Sequence, residues 1–273
     1  MGKQNINRVK AFLSGLIFFH ASAWRDHVLC ERYGQSDEIG VPVFQSLTDR
    51  ARLKIMHKIK SPQKLVELLN QARVRDGLTN FMYLNAQGQQ YVDARLTKNE
   101  DYLALFRPLT KDGHTALNGA CLSTQQAFVQ RVPASKMMSF FKGTLSHSSY
   151  NEFVYLVPEL QDSVLQKISN PQDLKSFLLM PANREGRSVF QFLSTEQKLG
   201  MVLRMPHVND VYDLYKNRFN EVDLEEIVYS PKDVRQSILK RFPNLTDAVV
   251  QAYRKVDFQP KTTPSLQPAH QYQ

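Results

Sequence analysis

The stretch Asp112-Gly113-His114-Thr115-Ala116-Leu117-Asn118-Gly119-Ala120-Cys121 decides how the whole chain is interpreted. A glycine that follows an acidic residue marks a turn, and Leu117 and Ala120 are spaced by about one helical turn after it. Similar phrases begin at Gly77 and at Gly186. Self-similarity at a fixed interval of about 20 to 50 residues is typical of repeat proteins. The same turn should therefore recur along the rest of the chain.

Turn residues do recur, at intervals of 36 or 37 residues, and apolar residues follow them at constant distances. The turn positions are Gly40, Gly77, Gly113, Ser149, Gly186 and Asp223. Four residues later stand Phe44, Phe81, Leu117, Phe153, Phe190 and Ile227. Fifteen residues later stand Ile55, Val92, Phe128, Val164, Met201 and Ile238, and nineteen later Ile59, Leu96, Val132, Ile168, Met205 and Phe242. Only 42% of the chain is hydrophobic, so three complete columns in one register indicate a repeat.

The apolar spacing within each unit predicts helices. Positions four and seven after the turn fit a first helix, and positions fifteen and nineteen fit a second. A third apolar group follows, and the helix-start signals Ser61-Pro62 and Asn170-Pro171 stand before it in two units. The sequence therefore predicts an all-α chain of about six units. Each unit should hold two helices, a short third helix and a turn.

The two ends of the chain lack this regular pattern. Basic residues, an apolar run at 11–19 and small residues up to 23 together have the layout of a secretory signal peptide. The apolar residues of 13–28 also keep the register of the repeats, which favours helices that cap the open end of an array. We expect capping helices at 1–39, with a signal peptide at 1–23 as the alternative. The repeat array should occupy 40–257, and the proline-containing segment 258–273 should be a disordered tail.

The residues with reactive side chains form no recognisable catalytic or metal-binding motif. His27 and Cys30 are one helical turn apart and make the only candidate for a cysteine–histidine nucleophile. The second cysteine, Cys121, has no histidine partner at metal-ligand spacing. The sequence therefore predicts no catalytic residue, no metal ligand and no cofactor.

The chain is basic, with a formal net charge of +9. Arg50, Lys54 and Lys58 are spaced by four residues and should share one helix face. Such a basic patch favours an acidic partner, and nucleic acid or anionic lipid is the alternative to an acidic protein. No run of 18 apolar residues occurs, so no membrane span is expected.

The phrase around Gly113 resembles the start of an ankyrin repeat. Gly113, Thr115, Leu117 and Ala120 fill the positions that the ankyrin motif gives to these residue types, and Gly88 matches the glycine between the two ankyrin helices. The period departs from the family, because it is 36 or 37 residues instead of about 33. The extra residues fall where ankyrin repeats have a β-hairpin. The resemblance implies an α-solenoid of about six degenerate ankyrin-like repeats.

Resemblance to ankyrin-repeat proteins also implies a function. It implies a non-catalytic scaffold that binds a partner protein on a surface of the array. The partner-binding residues expected on the first helices and turns are Gln45, Tyr83, His114, Asn118, Tyr155 and Gln191. Divergent repeats of this kind resemble those of bacterial effectors, which implies the cytoplasm of a host cell, with export through the N-terminal signal as the alternative. The alternative function is binding of nucleic acid or phosphoinositide by the basic patch.

Overall fold

The computed structural model describes residues 26–108, 110–144, 150–216 and 224–257. The expected capping segment or signal peptide before residue 26, the expected tail at 258–273, and the turn residues Ser149 and Asp223 lie outside these ranges. The described residues are mostly helical and contain no β-strand, which confirms the all-α class. In the described ranges, no helix has the length and apolar character needed to cross a bilayer.

The α-helices of the described ranges are α1 (Asp26–Gly34), α2 (Asp49–Lys58), α3 (Pro62–Leu69), α4 (Ala86–Arg95), α5 (Asn99–Phe106), α6 (Leu122–Arg131), α7 (Ala134–Thr144), α8 (Pro158–Lys167), α9 (Pro171–Leu178), α10 (Thr195–Val202), α11 (Val208–Tyr215), α12 (Glu225–Val228), α13 (Lys232–Arg241) and α14 (Thr246–Asp257). The 3₁₀ helices are η1 (Val43–Ser46), η2 (Asn80–Tyr83), η3 (Glu152–Tyr155), η4 (Val189–Phe192) and η5 (Pro243–Leu245).

The chain divides into two compact units, Met1–Phe192 and Leu193–Gln273. In the first unit, α2 contacts α4, α4 contacts α6, and α6 contacts α8. The shorter helices α1, α3 and α5 also contact one another in chain order. Equivalent helices of consecutive repeats are therefore neighbours in the first unit. In the second unit, α12 packs against α14, and Lys198 forms an ion pair of 2.5 Å with Glu226.

The predicted first helix of each repeat is shorter than we expected. In most repeats of the described ranges it is a single 3₁₀ turn, as in η1 and η2. The reason is the N-cap of the next helix: the Asn85 side chain accepts a hydrogen bond from Gly88 N at 2.9 Å and begins α4 there. Gly88 therefore lies inside α4 and not between two helices, which corrects the ankyrin-based assignment. The predicted third helix is confirmed, since Ser61 and Asn170 cap α3 and α9.

The predicted turns are confirmed at their glycines. Gly40, Gly77, Gly113 and Gly186 have φ angles of 76°, 75°, 83° and 80°. This left-handed region is accessible to glycine without the clash that a Cβ atom causes. Neighbouring turns are joined by hydrogen bonds, such as the one from Val74 N to Gly40 O at 3.0 Å.

The apolar columns form the core. Every described member of the three columns is buried, including Phe44, Phe81 and Phe128. Aromatic rings continue this core through several repeats of the first unit, where Phe106 lies edge-on to Phe81 at 5.4 Å and to Phe128 at 5.5 Å. Such edge-to-face pairs add stability beyond the burial of their surface.

A column of basic residues, which the sequence interpretation missed, connects consecutive repeats. The residues eighteen positions after the turns are Lys58, Arg95, Arg131, Lys167, Arg204 and Arg241. The last carbonyls of an α-helix have no partner within the helix. In the first unit Arg95, Arg131 and Lys167 donate to the helix ends of the preceding repeat, and in the second unit Arg241 does the same. The bonds are Arg95 to Ile59 O (3.0 Å), Arg131 to Leu96 O (2.8 Å), Lys167 to Val129 O (2.6 Å) and Val132 O (3.1 Å), and Arg241 to Met205 O (2.9 Å).

Candidate partner-binding site

Three of the predicted partner-binding residues lie together. The His114 ring is edge-on to Tyr155, with ring centroids 5.3 Å apart. Asn118 Nδ2 lies 3.2 Å from His114 Nδ1, so the amide donates when that nitrogen carries no proton. The turn after Gly113 places His114 and Asn118, and η3 of the next repeat places Tyr155. The repeat period therefore brings together residues that are far apart in sequence.

Two further aromatic residues extend this group. Tyr150 lies edge-on to Tyr155 at 6.2 Å and to Phe192 at 5.4 Å. We define the aromatic site as His114, Tyr150, Tyr155 and Phe192. Its four rings come from three consecutive repeats of the first unit. The sequence interpretation missed Tyr150 and Phe192, because their roles depend on packing between repeats.

Two hydrogen bonds of Asn151, one through its side chain and one through its backbone, hold the aromatic site in place. Asn151 Oδ1 accepts from Phe153 N at 2.9 Å and caps η3. Asn151 N donates to Ala182 O at 2.8 Å, which connects η3 to the next turn. Phe153 is fully buried and Tyr155 is 39% exposed. The 3₁₀ helix thus anchors one aromatic side chain in the core and presents another at the surface.

A buried carboxyl group lies beneath the site. Glu152 is 1% exposed, and its Oε1 accepts a hydrogen bond from Thr115 N at 2.7 Å. The same oxygen is 3.9 Å from His114 Nδ1. Burial raises the pKa of Glu152 to about 7, although the hydrogen bond from Thr115 acts in the opposite direction. Glu152 therefore exchanges its proton near neutral pH, close to the ring that contacts Tyr155.

The sequence interpretation also missed Glu152. A signal existed, because the residues three positions after four of the other turns are uncharged, as Val43, Asn80, Ala116 and Val189 are, and Glu226 in the same column is paired with Lys198. These residues stand directly before the buried apolar residue at position four. An acidic residue is unusual next to such a position, since an unpaired charge is costly to bury.

The other predicted partner-binding residues lie elsewhere. Gln45, which we expected at the surface, is 6% exposed, and its Nε2 donates to Leu78 O at 3.0 Å. Its amide satisfies a carbonyl of the neighbouring turn, so the expected exposure is wrong. Tyr83 is half-buried, with the guanidinium groups of Arg52 and Arg73 each 6.0 Å from its ring centroid. Gln191 is exposed, next to Phe192 in η4.

The predicted basic patch forms one face of a helix. Arg50, Lys54 and Lys58 are exposed on α2 at intervals of one turn. His57, on the same helix, lies against Tyr91 of α4, with ring centroids 4.2 Å apart. The sequence alone did not indicate an aromatic residue beside this patch.

The two cysteines differ in their surroundings. Cys30 is buried and its Sγ donates to Lys64 O at 2.9 Å. Burial raises the pKa of the Cys30 thiol to about 11, which opposes formation of a nucleophilic thiolate. Partial burial also raises the pKa of Cys121, but hydrogen bonds with Ser123 and Thr124 outweigh it and lower the pKa overall. Among the described residues, no three His, Cys, Asp or Glu side chains form a group that could hold a metal ion.

Comparison of the chain with protein-family models, with curated proteins and with solved structures gives no match. The likeness to ankyrin repeats therefore rests on the motif residues around Gly77 and Gly113.

Proposed function

We propose that the chain is an α-solenoid of degenerate ankyrin-like repeats that binds a partner protein through the aromatic site. The recurring helix order and the neighbouring equivalent helices of the first unit support the solenoid. Each repeat of such an array buries its apolar face against its neighbours, which leaves the turns and first helices available for binding.

The observation that carries this proposal is a series of edge-to-face ring contacts, from His114 to Tyr155, from Tyr155 to Tyr150, and from Tyr150 to Phe192. Tyrosine is enriched among residues that dominate binding energy at protein interfaces. It offers a large contact area and loses little conformational entropy, because it has two side-chain torsions. Here the rings are also fixed by the cap of η3 and by contacts with one another. The site is therefore organised before a partner arrives, which reduces the entropic cost of association.

The polar groups at the site point to a protein partner with hydrogen-bonding groups beside an apolar side chain. His114 and Asn118 are half-buried, and both contact the site, Asn118 through His114 and His114 through the Tyr155 ring. An apolar centre surrounded by polar groups is the usual anatomy of a specific protein interface.

The proposal is tested by affinity capture from cell lysate, with mass spectrometry, on the full chain and two tyrosine variants. We expect Tyr155→Ala to lose the captured partner. The matched control is Tyr229→Ala, because Tyr229 is 62% exposed and lies in the second unit. A partner captured equally by wild type and Tyr155→Ala would refute the role of the aromatic site. Titration of the purified partner against both variants then measures the loss of affinity, which should be at least about tenfold for a hot-spot tyrosine.

A further inference from the structure

We infer that the aromatic site recognises an extended, proline-containing segment of the partner protein. This inference rests on the proposed function, because it names the chemistry of the ligand for the same site. The side chains that take part are the four rings and the two amides beside them, namely His114, Tyr150, Tyr155, Phe192, Asn118 and Gln191.

The imidazole of His114 offers a hydrogen-bond donor to a ligand. Asn118 Nδ2 donates to His114 Nδ1 at 3.2 Å, so the neutral ring carries its proton on the other nitrogen, Nε2. The side chain is 34% exposed, and the ring stands edge-on to Tyr155, with centroids 5.3 Å apart. The bond from Asn118 thus selects the tautomer, and the contact with Tyr155 fixes the plane of the ring.

Two further polar groups of the site are also donors. Gln191 is exposed, and its Oε1 accepts from Ser188 N at 3.2 Å, which leaves the NH₂ group, a donor only, for a partner. Burial and the neighbouring Glu152 raise the pKa of Tyr155, so its hydroxyl keeps its proton at neutral pH. The polar groups of the site are therefore mainly donors, and they match a ligand that is rich in acceptors.

A proline-containing segment is such a ligand. Proline has a backbone carbonyl but no N–H group, so it brings an acceptor without a donor. Segments rich in proline favour the polyproline II helix, whose carbonyls make no bonds within the segment and remain available. In a partner α-helix most carbonyls are already bonded within the helix. The donors of the site therefore favour an extended proline-containing segment over a helix.

The arrangement of the rings also suits prolyl side chains. Successive rings are nearly perpendicular, with interplanar angles of 76°, 86° and 84°, so the face of one ring lies beside the edge of the next. Surfaces lined by aromatic rings are those on which proline-rich segments dock. The centroids are 5.3, 6.2 and 5.4 Å apart. Because polyproline II rises about 3.1 Å per residue, about six residues suffice to cover the row.

The composition of the site favours a peptide over nucleic acid. Bases also stack on aromatic rings, but a single strand needs cations for its phosphates as well. None of the six side chains that form the site is lysine or arginine. Arg187, in the turn before η4, is paired with Glu185 at 3.4 Å. The site thus offers rings and neutral donors, which suit the rings and carbonyls of a proline-containing chain.

The experiment selects ligands from random dodecapeptides displayed on phage, with the full-length protein as bait and Tyr155→Ala for counter-selection. We expect the selected peptides to share a recurring pair of prolines. A labelled peptide from this selection is then titrated by fluorescence anisotropy. Alanine in place of a shared proline should weaken binding by at least about fivefold, because it restores an N–H group and conformational freedom. N-methylalanine also lacks the N–H group, so it should weaken binding less than alanine does.

Variants of the protein test the donors. Gln191→Glu keeps the oxygen that accepts from Ser188 N and exchanges the NH₂ donor for an acceptor. It should weaken binding of the selected peptide by at least about fivefold. The matched control Gln87→Glu makes the same change at an exposed position of α4 and should bind within about twofold of wild type. His114→Phe keeps an aromatic ring, removes the donor, and should weaken binding several-fold. Circular dichroism checks the fold of each variant.

Selected peptides without shared prolines, or a selection that yields no peptide dependent on Tyr155, would overturn the inference. Equal losses in Gln191→Glu and Gln87→Glu would do the same, and so would binding of oligouridine that Tyr155→Ala abolishes. The proposed function fails on a different result, namely partner capture that Tyr155→Ala leaves unchanged. A captured partner that needs Tyr155 but binds through a proline-free segment would remove this inference and leave the proposed function intact.

Discussion

The Arg131 side chain caps a helix that belongs to the preceding repeat. Its Nη1 donates to Leu96 O at 2.8 Å and to Asp93 O at 2.5 Å, and the guanidinium carbon lies 5.3 Å from the Tyr102 ring centroid. Leu96 is the C-terminal cap residue of α4, where carbonyl groups have no partner inside the helix. A cation at a helix C-terminus also interacts favourably with the helix dipole. Arg131 thus stabilises the contact between repeats as well as the end of α4.

Removal of this cap should destabilise the protein. We expect Arg131→Ala to lower the free energy of unfolding by about 1–2 kcal/mol, since the bonds are charge-assisted but partly exposed to solvent. Arg131→Lys should lower the free energy of unfolding by less than half as much as Arg131→Ala, because Lys167 makes equivalent bonds in the next repeat. The exposed control Lys136→Ala should change stability by less than about 0.5 kcal/mol. Urea denaturation followed by circular dichroism measures all three, and equal effects at Arg131 and Lys136 would contradict the capping role.

Glu152 should make stability depend on pH. Its pKa is raised to about 7 in the folded protein, so the folded state binds a proton that the unfolded state has released between about pH 4.5 and 7. The contribution of Glu152 is therefore most favourable below about pH 4.5 and declines as pH rises to about 7. Above that pH the unfavourable burial of the charge is complete.

Glu152→Gln removes this effect. The glutamine oxygen can still accept the hydrogen bond from Thr115 N, and it carries no charge. We expect the free energy of unfolding at pH 8 to rise by about 3 kcal/mol relative to wild type, with little change at pH 4.5. Glu159→Gln, at an exposed position of α8, is the control and should leave the pH profile unchanged. A Glu152→Gln profile parallel to that of wild type would show that this carboxyl group does not titrate as proposed.

The sequence predicted the features of the fold that depend on local geometry. The turns at Gly40 and Gly113 were found because a positive φ favours glycine at those positions. The columns that contain Phe128 and Val132 were found because burial requires an apolar residue at the same place in every repeat. The length of the first helix was not predicted, since two apolar residues three positions apart fit one 3₁₀ turn as well as an α-helix.

The site was harder to predict because its residues come from different repeats. His114 and Tyr155 were identified from their places in the repeat, although nothing in their local sequence shows that their rings meet. The burial of Glu152 depends on the neighbouring turn, which supplies Thr115 N as a donor. Gln45 was misplaced because a polar residue beside an apolar column can bond inward to a carbonyl as readily as it can face solvent.

Adjacent residues of η3 should respond differently to truncation. Phe153 is fully buried and contacts Phe177 edge-on, with ring centroids 5.1 Å apart. Phe153→Ala should therefore lower the free energy of unfolding by about 3–4 kcal/mol. Tyr155→Ala should cost about 1 kcal/mol, because its ring is partly exposed and loses mainly its contacts with His114 and Tyr150. Chemical denaturation measures both. A loss of stability for Tyr155→Ala as large as that for Phe153→Ala would mean that Tyr155 belongs to the core and not to a binding surface.

The turn glycines should differ in their tolerance of alanine. Gly77 has a φ of 75°, and an added Cβ would lie 3.0 Å from the Cα of Thr110 in the neighbouring turn. Gly186 has a similar φ of 80°, but an added Cβ would have no atom within 4 Å. Gly186→Ala should therefore cost only the strain of the left-handed backbone, about 1 kcal/mol. Gly77→Ala should cost about 2–3 kcal/mol, since backbone of the next repeat must also move. Thermal and urea denaturation of the two variants compare these costs, and a Gly186→Ala variant at least as unstable as Gly77→Ala would contradict close packing between consecutive turns.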